Sequence, residues 1–283
     1  MGKDCRPAFH ERHRSPQRLS GQEAEPIQTP CSPRRVALAL YTAVFCFYDF
    51  IARALTMPSG KPGSEKELTS RFIFPHAGRA DSDGFLAVGG DLSPGTLLLA
   101  YRNGIFPWTT HPVTWWSPDP RAIMPLDGVH VSRTLRRLMR RSTFHASFDR
   151  DFRKVMEGCA APRPGREETW ISPQFITAYC RLHDMGYAHS VEVWLGEDLV
   201  GGLYGVSIGG FFAGESMFSK ARDASKVALV RMAEKLARSG FALFDVQLMT
   251  PHLRSMGAVE IPRTEYLRRL AEATLLAPDF EPG

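Results

Sequence analysis

The chain has 283 residues, of which 43% are hydrophobic and 23% are charged. These shares are ordinary for a globular protein, so they exclude a chain disordered throughout, a coiled coil and a protein with several membrane spans. The net charge is +5, and residues 1–56 hold eight basic but only five acidic side chains. Overall charge is therefore a weak argument for a nucleic-acid partner, and only a local basic cluster can support one.

The five cysteines are spread along the chain, and none of them forms a C-x-x-C pair. So few cysteines cannot build a disulfide framework in a chain of this length, which favours reduced thiols in a cytosol. The missing C-x-x-C spacing also argues against a cysteine-based zinc site, and we expect no metal.

The N-terminal segment differs from the rest of the sequence. Residues 1–35 are rich in Arg, Pro, Ser and Gln, a composition that predicts disorder. The apolar run Val36–Tyr48 follows two arginines and resembles a signal peptide, while its extension over residues 36–55 includes two charged residues. A membrane or export role is one interpretation. We prefer the other, in which residues 1–56 are a dispensable extension and Met57 is the functional start.

Capping residues mark two helices. Ser93-Pro94 precedes an apolar run that ends at Gly104, and Ser172-Pro173 precedes another that ends at Gly186. Ser before Pro is typical of a helix start, and Gly is typical of the position after a helix end. Between these helices lie aromatic segments around Trp108 and Trp115, which contain enough proline to predict irregular loops. Such loops either fill a core or line a site.

A basic amphipathic helix is predicted over residues 131–142. Its arginines recur with helical spacing on one face, and Leu135 and Leu138 lie on the other. No acidic residue occurs from Gly128 to Phe148. The arginines are Arg133, Arg136, Arg137, Arg140 and Arg141. We favour contact with RNA phosphates, with an ordinary solvated face and an anionic membrane surface as alternatives.

Alternating patterns dominate the second half. Residues 190–195, 199–207 and 211–217 predict an antiparallel meander, and a helix over 223–238 followed by a strand over 242–248 completes one mixed sheet. This pattern predicts an α/β or α+β domain.

Three features of this half could carry chemistry. Asp245 and Gln247 should share one face of their strand by alternation, and Glu215 is a second acid in an apolar strand. Two carboxylates and an amide in one aromatic cleft would suit the binding of amines, although a backbone group or an arginine could equally satisfy Asp245. Ser207 lies in a G-x-S-x-G pattern, but it precedes a Gly-Gly hairpin rather than a helix, so we do not expect a nucleophile there.

Several segments together resemble the bacterial leucyl/phenylalanyl-tRNA–protein transferases. The resemblance runs in order from about Phe74 to Leu270 and leaves out residues 1–56. The segments are Gly89–Pro94, Tyr101–Trp108, Trp115–Arg121, Thr169–Ile171, His189–Trp194, Gly214–Ser219, Ala224–Lys226 and Asp245–Gln247. Members of this family begin shortly before the equivalent of Phe74, which is why we favour a start at Met57.

The resemblance implies a cytoplasmic aminoacyltransferase with no cofactor. Its partners would be leucyl-tRNA or phenylalanyl-tRNA and proteins whose N-terminal residue is Lys or Arg, which it would mark for degradation by the N-degron route. We expect a monomer without a stable membrane partner. The implied domains are a small N-terminal α/β domain over residues 57–125, a C-terminal domain over 126–275 with a mixed sheet of the GNAT acyltransferase type, and a tail over 276–283.

The resemblance also implies roles for residues. Asp245 and Gln247 would orient the attacking amine and ease its loss of a proton, and Glu215 would hold an ammonium group. The arginine-rich helix would bind the tRNA backbone. The aminoacyl side chain and terminal adenosine would be bound by Tyr101, Trp108, Trp170, Phe212, Met232 and Leu236. The last two replace large aromatics that are frequent in the family, so the preference between Leu and Phe stays open, and Met is a third candidate.

Two other functions compete with this interpretation. An acyl-CoA N-acyltransferase would share the C-terminal fold, but it needs a Gly-rich loop before a helix, and residues 221–226 contain no glycine. A non-catalytic tRNA-binding or membrane-tethered protein is the third candidate.

Overall fold

The described part of the chain comprises residues 68–141, 144–162 and 169–280 of a computed structural model. These residues belong to one compact unit, which spans Pro58–Gly283. Our predictions for residues 1–56, and for a start at Met57, lie outside the described residues.

A small antiparallel sheet precedes the larger one. Its strands are β1 (Phe85–Val88), β2 (Phe106–Thr110) and β3 (Val113–Trp116), in the order β1-β3-β2. We predicted irregular loops for the last two, and this was wrong. Pro107 lies in β2, and β2 is an edge strand, where a residue without an N–H group need not interrupt the hydrogen-bond ladder.

A mixed sheet of seven strands forms the centre of the unit. Its spatial order is β10-β4-β9-β8-β7-β6-β5. All neighbours are antiparallel except β8 and β9, which are parallel and are joined through a helix. The strands are β4 (Arg121–Ile123), β5 (His145–Phe148), β6 (Ala188–Leu195), β7 (Asp198–Ile208), β8 (Phe211–Ser219), β9 (Leu243–Gln247) and β10 (Val259–Ile261). The predicted meander and the mixed α/β fold class are confirmed.

Seven α-helices accompany the sheets in the described residues. They are α1 (Pro94–Arg102), α2 (Arg133–Arg140), α3 (Phe152–Ala160), α4 (Pro173–Asp184), α5 (Ala224–Arg238), α6 (Pro251–Ser255) and α7 (Arg263–Ala273). The predicted start of α4 is confirmed, because the Ser172 hydroxyl accepts a hydrogen bond from the Phe175 N–H at 3.4 Å.

Buried apolar residues form two cores, one on each face of the large sheet. Phe211 belongs to a core that includes residues of α1, α3, α4 and α7, whereas its neighbour Phe212 belongs to a core dominated by α5. Adjacent residues of a strand face opposite ways, so β8 divides the two cores.

Two features cross the predicted domain limits. Arg121–Ile123 is a strand of the large sheet, although we assigned it to the N-terminal domain that ends at residue 125. Phe280, in the predicted tail, is only 8% exposed and packs in the α5 core. Its ring stacks on His189 at a centroid distance of 4.0 Å. Phe280 therefore anchors the last described residues to the folded unit.

Candidate active site

A cavity of about 520 Å³ opens where β8 and β9 stop pairing. Their ladder ends at the Ala213–Asp245 pair, and the residues that follow on both strands line the cavity. In sheets with parallel strands, the carboxyl ends of adjacent strands are a common place for ligands. Glu215 of β8 and Gln247 of β9 both line the cavity and lie within hydrogen-bond distance of each other.

A β-bulge determines the position of Glu215. Tyr204 of β7 pairs with Ser216, and the next residue, Gly205, pairs with Gly214, so Glu215 is an extra residue without a partner in the register. A bulge redirects side chains and is frequent beside functional sites. Glu215 lines the cavity although it is only 9% exposed.

Gln247 lies at a second irregularity, at the end of β9. Ala122 pairs with Gln247 and Ile123 pairs with Asp245, which leaves Val246 as the extra residue. The φ angle of Gln247 is 62°, in the left-handed region that a residue with a side chain rarely adopts. Its Nε2 donates a hydrogen bond to Oε1 of Glu215 at 2.7 Å. The amide and the carboxyl therefore form one polar unit in the cavity wall.

Asp245 lies beneath this unit and does not line the cavity. It is fully buried and forms a two-point ion pair with Arg121, with distances of 2.9 Å from Nε to Oδ1 and 2.7 Å from Nη2 to Oδ2. The hydroxyl of Tyr266 donates to Oδ2 at 2.9 Å, and the N–H of Gln247 donates to Oδ1 at 2.9 Å. The sequence left open a backbone group or an arginine as the partner of Asp245, and the structure shows both.

The bulge in β9 also separates the environments of Asp245 and Gln247. Two-residue alternation predicted that the side chains of Asp245 and Gln247 share one face of β9. In the structure, Gln247 lines the cavity together with its neighbours Val246 and Leu248, whereas Asp245 does not. That part of the prediction was wrong, because the pattern of two-residue alternation cannot show a bulge.

Two tyrosines bind Glu215 from the core. The hydroxyl of Tyr179 donates to Oε2 of Glu215 at 3.4 Å and also forms a hydrogen bond with the hydroxyl of Tyr101. The pKa of Glu215 is raised to about 7, mainly by burial and also by the nearby Asp245, while hydrogen bonds from Tyr101, Gln247 and Tyr179 oppose the rise. Glu215 therefore titrates near neutral pH.

Aromatic side chains also line the cavity. Trp108 and Trp170 both contribute to the lining, and each is partly exposed. Trp116 packs edge-on against Trp108 at 5.0 Å, and Phe175 packs edge-on against Trp170 at 5.3 Å. Both indoles are thus held in place and present flat apolar surface to a ligand.

The remaining residues predicted to bind the aminoacyl group do not line this cavity. Phe212, Met232 and Leu236 are fully buried in the α5 core. The structure differs from the expectation here because the apolar face of α5 packs on the sheet. Tyr101 is also buried and reaches the cavity through Glu215. Leu203 and Met217 are apolar residues that do line it.

Sequence reasoning missed four residues at the site. Arg121, Tyr179 and Tyr266 support the acidic residues from behind, and His252 lines the cavity itself. Arg121 could have been noticed in the sequence, because it is a charged residue at the start of a short strand, β4, whose other residues are apolar. The other three could not, because a single tyrosine or histidine has no distinctive spacing.

Comparison with known proteins agrees with these features. The family model of leucyl/phenylalanyl-tRNA protein transferase matches residues 123–271, and the model of its N-terminal domain matches residues 90–119. The chain belongs to the leucyl/phenylalanyl-tRNA–protein transferase family. This confirms the resemblance, and the chain is an aminoacyltransferase of that family.

Curated leucyl/phenylalanyl-tRNA–protein transferases are similar to this chain over most of their length. The protein of Nitratidesulfovibrio vulgaris is 54% identical over 205 residues, which are 71% of this chain and 88% of that protein. That of Syntrophobacter fumaroxidans is 54% identical over 72% of this chain and 89% of its own length. That of Thiobacillus denitrificans is 53% identical, over 74% and 93%.

The basic helix of this transferase is present as predicted. All five arginines of α2 and its C-cap are exposed, whereas Leu135 is buried in the α5 core. None of these arginines forms an ion pair with a carboxylate of the described residues. Their charge is therefore available to an anionic partner.

No helix of the described residues is long and apolar enough to cross a membrane. No cluster of His, Cys, Asp or Glu in the same ranges could hold a metal ion.

Proposed function

We infer that this chain transfers Leu or Phe from aminoacyl-tRNA to the α-amine of proteins whose N-terminal residue is Lys or Arg, in the cytoplasm, and so supplies the N-degron route of degradation. The observation that carries this inference is the cavity, which combines two fixed indoles with the joined Glu215 and Gln247 side chains. The indoles suit an aminoacyl-adenosine, and the carboxyl group suits a cationic amine.

The chemistry needs little beyond binding and orientation. An aminoacyl ester is already activated, so the amine can attack its carbonyl carbon without a nucleophilic side chain or a cofactor of the protein. Holding two reactants at the right distance can account for much of the rate of such a step.

Gln247 is suited to orient the attacking amine. Its Nε2 is engaged by Glu215, which leaves its Oε1 as an acceptor for an N–H of the amine. Asp245 supports this geometry without touching substrate, because it binds the Gln247 backbone N–H and helps to hold the left-handed conformation. Asp245 is thus a positioning residue in this mechanism.

Glu215 is suited to bind an ammonium group of either substrate. A cation beside it would favour its ionised form, against the effect of burial. The apolar lining residues Leu203, Met217 and Val246 provide surface for a side chain such as Leu or Phe. An apolar pocket separates side chains of similar size by only about 1 to 3 kcal/mol, so we expect some transfer of Met.

The exposed arginines of α2 are suited to the phosphates of the tRNA acceptor stem. Such contacts carry no sequence information, and binding should weaken steeply with salt. We also propose that the protein acts as a monomer.

The test uses the full chain with leucyl-tRNA or phenylalanyl-tRNA that carries a labelled amino acid. Transfer of the label is measured to three peptides that differ only in an N-terminal Lys, Arg or Ala. We expect transfer to the first two alone. Gln247→Ala should lower kcat far more than it weakens tRNA binding, and Arg268→Gln, on the exposed face of α7, is the matched control. Equal transfer to all three peptides would refute the acceptor specificity, and no transfer by wild type would refute the function.

A further inference from the structure

Only two titratable side chains of the described residues line the cavity, Glu215 and His252. The rest of the lining is apolar or consists of backbone, hydroxyl and amide groups. Any proton that a substrate exchanges with the cavity wall must therefore pass to or from one of these two side chains.

The proposed reaction needs a proton acceptor. The α-amine of a protein has a pKa of about 7.7 to 8.0 and is mostly an ammonium ion at pH 7, which has no lone pair for attack. Asp245 cannot reach a substrate, because Arg121, Tyr266 and the Gln247 N–H occupy both of its oxygens.

Glu215 is also engaged on both oxygens. Oε1 accepts from the amide of Gln247, and Oε2 accepts from the hydroxyl of Tyr179. Taking a proton from the amine would break or reverse one of these hydrogen bonds. Glu215 is therefore better placed to attract the ammonium ion than to deprotonate it.

The imidazole of His252 is not engaged in this way. His252 lies in α6, directly after the Pro251 that begins the helix, and its Nε2 atom is buried and has no hydrogen-bond partner among the described residues. Burial lowers the pKa of His252 and the nearby Lys226 of α5 lowers it further, while Asp223, before that helix, opposes them. Lys226 and Asp223 are the charged groups that act on the ring, Glu215 lines the same cavity, and the lowered pKa favours the neutral imidazole.

We propose that His252 is the base that deprotonates the acceptor ammonium in the cavity. An N–H bond of the ammonium breaks, its proton passes to the imidazole, and the electron pair becomes the lone pair that attacks the ester carbonyl carbon. As the ester C–O bond breaks, the ribose oxygen takes a proton from the amine nitrogen, and His252 later releases its own proton to water. This role rests on the proposed function.

The test compares full-chain wild type, His252→Ala and His252→Asn in the labelled transfer assay, with and without added imidazole. His145→Ala is the matched control, because His145 is exposed on β5 and does not line the cavity. Loss of a general base should lower kcat by about 10² to 10⁴-fold without changing the affinity for aminoacyl-tRNA. Imidazole should restore part of the activity of His252→Ala, and more so as pH rises and more imidazole is neutral.

The possible negative results distinguish a failure of the proposed function from a failure of the role proposed for His252. If wild type transfers no label, the proposed function itself is wrong. If wild type transfers label and His252→Ala keeps the same kcat, His252 is not the base. If kcat falls but imidazole restores nothing while the affinity for aminoacyl-tRNA also falls, the ring only shapes the cavity, and the proposal is overturned.

Discussion

Arg121 of β4 binds both carboxylate oxygens of Asp245 in β9, at 2.9 and 2.7 Å, and both side chains are almost fully buried. The Arg121 guanidinium also lies over the rings of Phe106 and Tyr266, at 4.9 and 4.4 Å. Because Phe106 lines the cavity and Asp245 holds the Gln247 backbone, this ion pair connects the aromatic wall of the cavity to Gln247.

Substitution of Arg121 alone should strongly destabilise the folded protein. Arg121→Met leaves a buried carboxylate without its partner, and breaking a buried pair in this way costs about 3 to 5 kcal/mol of unfolding free energy. Adding Asp245→Asn should recover much of the loss, since no charge then stays buried. Urea unfolding of the two single variants and the double variant measures this. Strictly additive losses would show that the two residues are not coupled.

The same double variant separates two roles of Asp245. Asparagine keeps an oxygen that can accept the Gln247 N–H, so the double variant should transfer the amino acid at a measurable rate if Asp245 only positions Gln247. An inactive but folded double variant would indicate that the charge itself is needed.

Several elements were predictable because their signals are local. Ser172 before Pro173 predicted the start of α4, and the Gly-Gly turn after Ile208 predicted the β7–β8 hairpin. Other features depend on contacts between distant residues. The bulge at Glu215 is visible only in the pairing of β7 with β8, and the partner of Asp245 is 124 positions away in the sequence. Likewise, Pro107 is compatible with a strand only because β2 lies at a sheet edge.

Glu215 should make stability depend on pH. Its pKa is about 7 in the folded chain, whereas in the unfolded chain it is near the ordinary glutamate value of 4.5. Between these values the folded state retains a proton that the unfolded state has lost, so the unfolding free energy falls as pH rises through this window, by an amount of the order of 3 kcal/mol. Glu215→Gln cannot titrate, and its stability relative to wild type should therefore increase from pH 5 to pH 8.

Urea unfolding of both proteins at those two pH values tests this expectation. The difference between the two proteins removes the contribution of every other titrating group. A difference that stays constant with pH would show that Glu215 has an ordinary pKa.

The arginines of α2 should determine the salt dependence of tRNA binding. Arg136→Gln with Arg140→Gln removes two exposed charges from adjacent turns of the helix. Each lost phosphate contact should reduce the slope of log K against log salt by about 0.7 to 0.9. Arg268→Gln with Arg269→Gln removes the same charge from α7, where both residues pair with Glu265.

Fluorescence anisotropy with aminoacyl-tRNA between about 50 and 200 mM salt measures both slopes. In the middle of this range the Debye length is about 10 Å, so the screening of exposed charges changes strongly. The α7 control should keep the wild-type slope. Equal slopes for the two double variants would mean that the α2 arginines form only a solvated face.

The anchored C-terminal segment should contribute to stability. Phe280 packs against His189 at 4.0 Å and edge-on against Phe241 at 6.2 Å, and the amino group of Lys235 lies 5.5 Å from its ring. Phe280→Ala removes a buried ring and should cost about 3 to 5 kcal/mol. Leu275→Ala is the control from the same segment, because Leu275 is 81% exposed and its loss should cost less than about 0.5 kcal/mol. Equal unfolding midpoints in urea for these two variants would show that the segment does not stabilise the fold.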